Sequence, residues 1–196
     1  MLPFIPQTIV LPDNADFAWV NQGSATVTVL GDGRIHLYSP QSSAANLRIR
    51  VKTAPGSPWT LSAGFQWVNV PAGGGPLSHA GILLRESSTG RLVFYGPTVN
   101  GNIVVQYYIS PTATGGDVST EFNQSWNSLS FYPFYLRIVR TGGTLSFWFS
   151  PDGEAWLQIH SETDTDFLTS GPDQYGHNIS AHLRDVTQNL FHWVEA

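Results

Sequence analysis

The sequence predicts an all-β fold, a sandwich or barrel of short strands, and three observations carry that expectation. Residues 135–159, YLRIVRTGGTLSFWFSPDGEAWLQI, alternate at period two in segments joined by Thr141-Gly142-Gly143 and Pro151-Asp152-Gly153. That is the pattern of a three-stranded meander. Nineteen glycines and 13 prolines punctuate the 196 residues, as turns between many strands require. Helix formers in amphipathic runs are almost missing, which leaves sheet packed on sheet as the way to bury a core.

From the N-terminus, Thr8 to Leu11 is expected as a first strand between Pro6 and Pro12, followed by a short apolar strand, Phe17 to Val20. Thr26 to Leu30 and Arg34 to Tyr38 make a hairpin about Gly31-Asp32-Gly33, with Val27, Val29, Ile35 and Leu37 on its buried face. Leu47, Ile49 and Val51 alternate with Arg48, Arg50 and Lys52. That cationic row reads as a solvated face, a site for an acidic glycan, or half of a subunit contact. Trp59 to Val70 is a long strand or a bent pair, and His79 to Glu86 with Arg91 to Tyr95 forms a hairpin about Ser88-Thr89-Gly90.

Asn102 to Ser110 is the next strand, followed by an irregular connection, Pro111 to Leu129, with one helical turn near Glu121 to Trp126. In the meander, Leu136, Ile138, Leu145, Phe147 and Phe149 are core, and Trp156 to Ile159 is the third strand. Ser161 to Gly176 is a second connection, with a helical turn at Asp166 to Thr169. His177 to Arg184 and Leu190 to Glu195 close the chain. The total is about a dozen strands in one domain, residues 1–196.

Composition sets limits on function. Cysteine is absent, which removes disulfides, thiolate metal sites and a cysteine nucleophile. A net charge of −5 with a single lysine, Lys52, points away from nucleic acid. The N-terminus has no basic region ahead of its apolar part, so no cleaved leader is expected. No run approaches eighteen apolar residues, and no membrane partner is expected.

Three segments, AGILLRESSTGRLVFYG (80–96), FYLRIVRTGGTLSFWFSPDGEAWLQI (134–159) and QYGHNISAHLRD with LFHWVEA (174–196), resemble the concanavalin A-like lectin/glucanase superfamily. They are most similar to small lectin-like modules found beside glycoside hydrolases and on phage virion proteins. The resemblance covers residues 60–196 and implies a jelly roll of two antiparallel sheets. It also implies a setting: a virion protein, tail-associated or on the capsid surface. Such a protein would be a homo-oligomer that meets host surface polysaccharide or other virion proteins. The missing leader and the start at Met1 agree with that expectation.

Fold does not fix function. The catalytic relatives carry two carboxylates on one strand, in the pattern Glu-x-Asp-x-Glu. Glu162-Thr163-Asp164-Thr165-Asp166 is the candidate here, expected as a solvated connection. Gln158-Ile159-His160 matches the alginate-lyase jelly rolls, but the partner motifs of those enzymes are missing. His36, His79, His160, His177, His182 and His192 show no metal-ligand spacing, and are expected as core or surface histidines. Asp117 or Asp173 offers a loop calcium ligand at most. No catalytic residue, metal or cofactor is assigned. The aromatics opposite the aliphatic stripe carry more. Tyr107, Tyr135, Arg137 and Trp148 are the expected carbohydrate-binding residues of an open sheet face, where rings stack on sugars and arginine offers forked donors; the alternative is a face covered by the Pro111 to Leu129 connection or by a neighbouring subunit.

Overall fold

The computed structural model describes residues 8–69, 78–125 and 133–196. Fourteen strands among them form two seven-stranded antiparallel sheets. They are β1 (Ala18–Asn21), β2 (Thr26–Val29), β3 (Ile35–Ser39), β4 (Leu47–Thr53), β5 (Trp59–Asn69), β6 (His79–Arg85) and β7 (Leu92–Pro97). The remainder are β8 (Asn102–Tyr108), β9 (Val118–Ser125), β10 (Phe134–Thr141), β11 (Thr144–Ser150), β12 (Leu157–Thr163), β13 (Gln174–Ser180) and β14 (Val186–Glu195). Sheet 1 has the order β1-β4-β13-β6-β7-β8-β9 and sheet 2 the order β12-β11-β10-β5-β14-β3-β2. The expected two-sheet antiparallel sandwich is what forms.

The core lies between the sheets. Leu61, Phe65, Leu136, Ile138 and Phe147 of sheet 2 meet Ile82, Leu84, Tyr95, Val105 and Ile179 of sheet 1, all fully buried. The far side of sheet 1 is also sealed. Leu47, Ile49, Leu83, Phe94 and Tyr108 pack there with Ala113 from the connection after β8. Sheet 1 therefore has apolar residues on both faces, whereas sheet 2 has one face on the core and an outer face that is partly exposed, with Arg137 and Trp148 half-buried and Ser62, Tyr135 and His192 buried. The burial of β11 alternates accordingly.

Several expected elements differ. Residues 8–13 form no strand. Val10 exchanges backbone and side-chain hydrogen bonds with His192 and Trp193, and Pro12 lacks the N–H a continuing ladder needs. Val29 is 50% exposed, because β2 is the outermost strand of sheet 2. Within the connection after Ser110, residues 118–125 are strand β9, and the only helical turn described is the 3-10 turn Gly115–Asp117. β9 lies at an edge, so only Val118 and Phe122 are partly covered, a spacing that imitates a helix. β12 runs on through Thr163, β13 starts at Gln174, and Asp166 to Thr169 is a turn without helix.

The row Arg48, Arg50, Lys52 is not a solvated face. It points inward along β4, where the N-terminal segment covers it. Arg50 is 3% exposed and donates to Asn14 Oδ1 at 2.7 Å and to the Phe17 carbonyl at 2.8 Å. Lys52 pairs with Asp16 and Glu195 at 2.8 and 2.9 Å.

Candidate functional site

The outer face of sheet 2 gathers a row of side chains across five strands. Strand register sets Gln158 beside Trp148, Trp148 beside Arg137, Arg137 beside Ser62, and Ser62 beside Val194. The turn after β11 adds one more ring. Asp152 closes that turn by accepting from the Glu154 and Ala155 N–H groups at 2.9 and 3.0 Å. Gly153 holds φ at +82°, a conformation that favours glycine. The chain then folds back so that the Trp156 ring covers the Arg137 guanidinium at 3.7 Å. Trp156 Nε1 is fixed to the Gly153 carbonyl at 2.9 Å, and Arg137 Nε donates to Ser62 Oγ at 2.8 Å.

The adjacent row contains Tyr135, Gly64 and His192. Tyr135 stands edge-on to Phe191 and His192, with ring centroids 5.4 and 5.7 Å away. Gly64 has no space for a β-carbon, which would sit 2.7 Å from the Phe191 ring. Its bareness lets that ring lie across the strand. His192 Nδ1 accepts the Val10 N–H at 3.1 Å, so the neutral ring carries its hydrogen on Nε2. Burial, aided by the Arg137 charge, pushes His192 below the ordinary histidine value.

Three of the four expected binding residues, Tyr135, Arg137 and Trp148, therefore share one face. Tyr107 does not join them. It lies on β8 in the other sheet, stacked on Phe167 at 4.6 Å and donating to Glu162 Oε2 at 2.7 Å. Its side chain points between the sheets, while Tyr108 points to the sealed far side. Trp156, Ser62 and His192 are members that the sequence does not single out. The SPDGEAW turn was the available signal for Trp156.

The other candidates take structural places. Glu162 is not in a solvated connection. It lies on β12 with its side chain 5% exposed, bonded to Tyr107 and 2.9 Å from His160 Nε2. Burial raises its carboxyl above the ordinary value, although the Tyr107 and His160 contacts oppose this. Asp164 is likewise buried, paired with Arg140 at 2.6 Å. His79 is stacked on Phe94 and bonded to Tyr108, and His177 is edge-on to Phe17. Burial pushes both down to about 3. A cavity of about 310 Å³ is lined by Glu86, Arg140 and Asp173 among others. Its charged groups are already engaged: Glu86 by Thr89, Thr169 and Ser170, Arg140 by Asp164, and Asp173 by Ser87.

No family model and no curated protein matches the chain. Solved structures do. The GH43 BlXynB protein from Bacillus licheniformis superposes with a TM-score of 0.65 at 14% identity, over 96% of this chain and 38% of that one. The carbohydrate binding module CBM66 from Bacillus subtilis gives 0.60 at 14% identity, over 98% of this chain and 99% of that one. The seed lectin of Lotus tetragonolobus gives 0.57 at 13% identity, over 95% and 94%. At such identities the likeness concerns the fold, and the fold is concanavalin A-like.

Proposed function

We propose that the chain is a non-catalytic, lectin-like module that binds a glycan across the outer face of sheet 2. The observation that carries this is the arrangement of Arg137, flat against Trp156 at 3.7 Å, anchored to Ser62 and adjacent to Trp148 across the ladder. A preordered guanidinium against the Trp156 indole, with Trp148 next to it on the neighbouring strand, offers planar apolar surface and forked donors at once, at little entropic cost on binding. A module such as CBM66, named for carbohydrate binding and spanning the same length, supports the reading.

The test is a glycan array with wild-type protein and with Trp148→Ala and Trp156→Ala. Each variant should lose about tenfold or more in affinity while its circular dichroism is retained. Undiminished binding in both variants would sink the proposal.

A second reading, an enzyme of the same fold, is favoured only by the Tyr107–Glu162–His160 contact. It requires release of reducing ends or unsaturated sugars, abolished by Glu162→Gln. The setting we propose is a phage virion, where the module contacts host surface polysaccharide or other virion proteins as a homo-oligomer; the sequence resemblance supports it. A monomer by light scattering, together with a gene neighbourhood free of tail and capsid genes, would count against it. Silence on every glycan with a stable oligomer would indicate a purely architectural decoration protein.

A further inference from the structure

Resting on that glycan-binding reading, we infer that the ligand is an acidic sugar whose carboxylate seats against Arg137. Arg137 shares with Arg48, Arg50, Arg85, Arg91 and Arg184 the lack of a carboxylate partner among the described residues, and differs from them in lying on the outer face of sheet 2, against Trp156 and beside Trp148. Arg34 pairs with Asp32, Lys52 with Asp16 and Glu195, and Arg140 with Asp164. Arg137 is half-buried and, among the described residues, has no carboxylate partner. Burial alone pushes its guanidinium below the ordinary arginine value. Its single hydrogen bond among those residues is Nε to Ser62, and none of them accepts from its terminal N–H groups. A cation withdrawn from water in this way gains most from an anion that matches its fork.

The neighbouring polar groups point to the same chemistry. Trp148 Nε1 is buried without an acceptor, and so is His192 Nε2, the nitrogen that carries the ring hydrogen. Arg137, Trp148 and His192 thus set three donor groups on one side of sheet 2, Arg137 half-buried and the two ring nitrogens beneath the surface. A neutral hydroxyl brings a hydrogen of its own, whereas a carboxylate is acceptor-only, with two oxygens able to take a bidentate arginine. Acidic groups near the face do not supply this. Asp152 and Glu154 lie close enough to raise the Tyr135 hydroxyl, but Asp152 is occupied by its own turn and neither pairs with Arg137. The net charge of −5 is spread over the molecule and is screened beyond about 10 Å at ordinary ionic strength, so it does not set the local preference.

The test uses a panel of uronate-containing polysaccharides, each paired with its carboxyl-reduced counterpart, titrated against the full chain. The acidic member of at least one pair should bind ~10–100-fold more tightly than its reduced partner. Arg137→Gln should erase that difference, with the fold checked by circular dichroism. Equal or tighter binding of the reduced polymers, still lost in Trp148→Ala, would overturn the acidic ligand while leaving the glycan-binding reading in place. An acid preference that survives Arg137→Gln would also overturn it. Binding to no member of either set would overturn the acidic ligand, and the glycan array would then decide the binding reading on its own.

Discussion

Replacing Glu86 by glutamine should destabilise the protein at neutral pH and have progressively less effect as the pH approaches 2. Glu86 is 2% exposed at the turn between β6 and β7. It accepts from Thr89 Oγ1 at 2.5 Å, Thr169 Oγ1 at 2.8 Å and the Ser170 N–H at 2.7 Å. It thereby ties the β6–β7 hairpin to the connection between β12 and β13. Burial on its own would raise the carboxyl, but these bonds together hold it at about 2 against an ordinary 4.5. A folded-state value below the unfolded one stabilises fully above about 4.5 and is lost as the pH falls toward 2. At ~1.4 kcal/mol per tenfold the interval corresponds to ~3 kcal/mol. Because the carboxylate borders an open cavity, solvent screening reduces the expected loss in Glu86→Gln to ~2 kcal/mol. Urea unfolding of both proteins at pH 7, 5, 3 and 2, followed by tryptophan fluorescence, measures this. A gap near 2 kcal/mol at pH 7 that closes in acid is expected. A constant gap across that range, or none at pH 7, would refute the reasoning.

Other perturbations probe the rest of the frame. Phe147 is fully buried, edge-on to Tyr95 at 5.3 Å. Phe147→Ala should cost ~3–5 kcal/mol and lower Tm by about 10 °C; a loss under ~1 kcal/mol would contradict its place in the core. Burial raises the Glu162 carboxyl, so its contribution is full below the unfolded value and is lost as pH rises through the folded one. Glu162→Gln should therefore be neutral or stabilising at pH 8 and relatively less stable in acid, as thermal melts across pH 4 to 8 would show; a destabilised variant at pH 8 would contradict this. Gly64→Ala puts a β-carbon 2.7 Å from the Phe191 ring and 2.9 Å from His192 Cβ. A loss of ~1–3 kcal/mol, with weakened glycan binding, is expected from unfolding and titration; an unchanged variant would show that Phe191 does not lie across the strand.

Legibility followed the environment of each strand. In β10 and β11 one face meets the core and the other is partly exposed, so alternation alone separated Leu136, Ile138 and Phe147 from Arg137 and Trp148. The central strands of sheet 1 are sealed on both faces, and the run IVVQYY in β8 carries no such contrast. Tyr107 and Tyr108 were therefore equivalent by pattern, and strand order, which a period does not encode, decided that Tyr107 belongs with Glu162. Edge strand β9 failed for the opposite reason, having almost nothing buried. Arg50 resembles part of a wet face in sequence because the residues that cover it, Asn14 and Phe17, are more than 30 positions away. The Arg137–Trp156 contact spans a turn whose fold-back rests on Asp152 and Gly153, so the motif was legible although its consequence was not.

The most direct measurement of the binding face is a 1H–15N spectrum of the tryptophan side chains during titration with a bound acidic polysaccharide. The chain has seven tryptophans; Trp59, Trp67 and Trp193 lie in the core, while Trp148 and Trp156 flank Arg137. Saturable shifts of the Trp148 and Trp156 Nε1–H signals, with those of Trp59, Trp67 and Trp193 unmoved, are expected. Binding that leaves Trp148 and Trp156 unmoved would place the ligand elsewhere and contradict the assignment of this face.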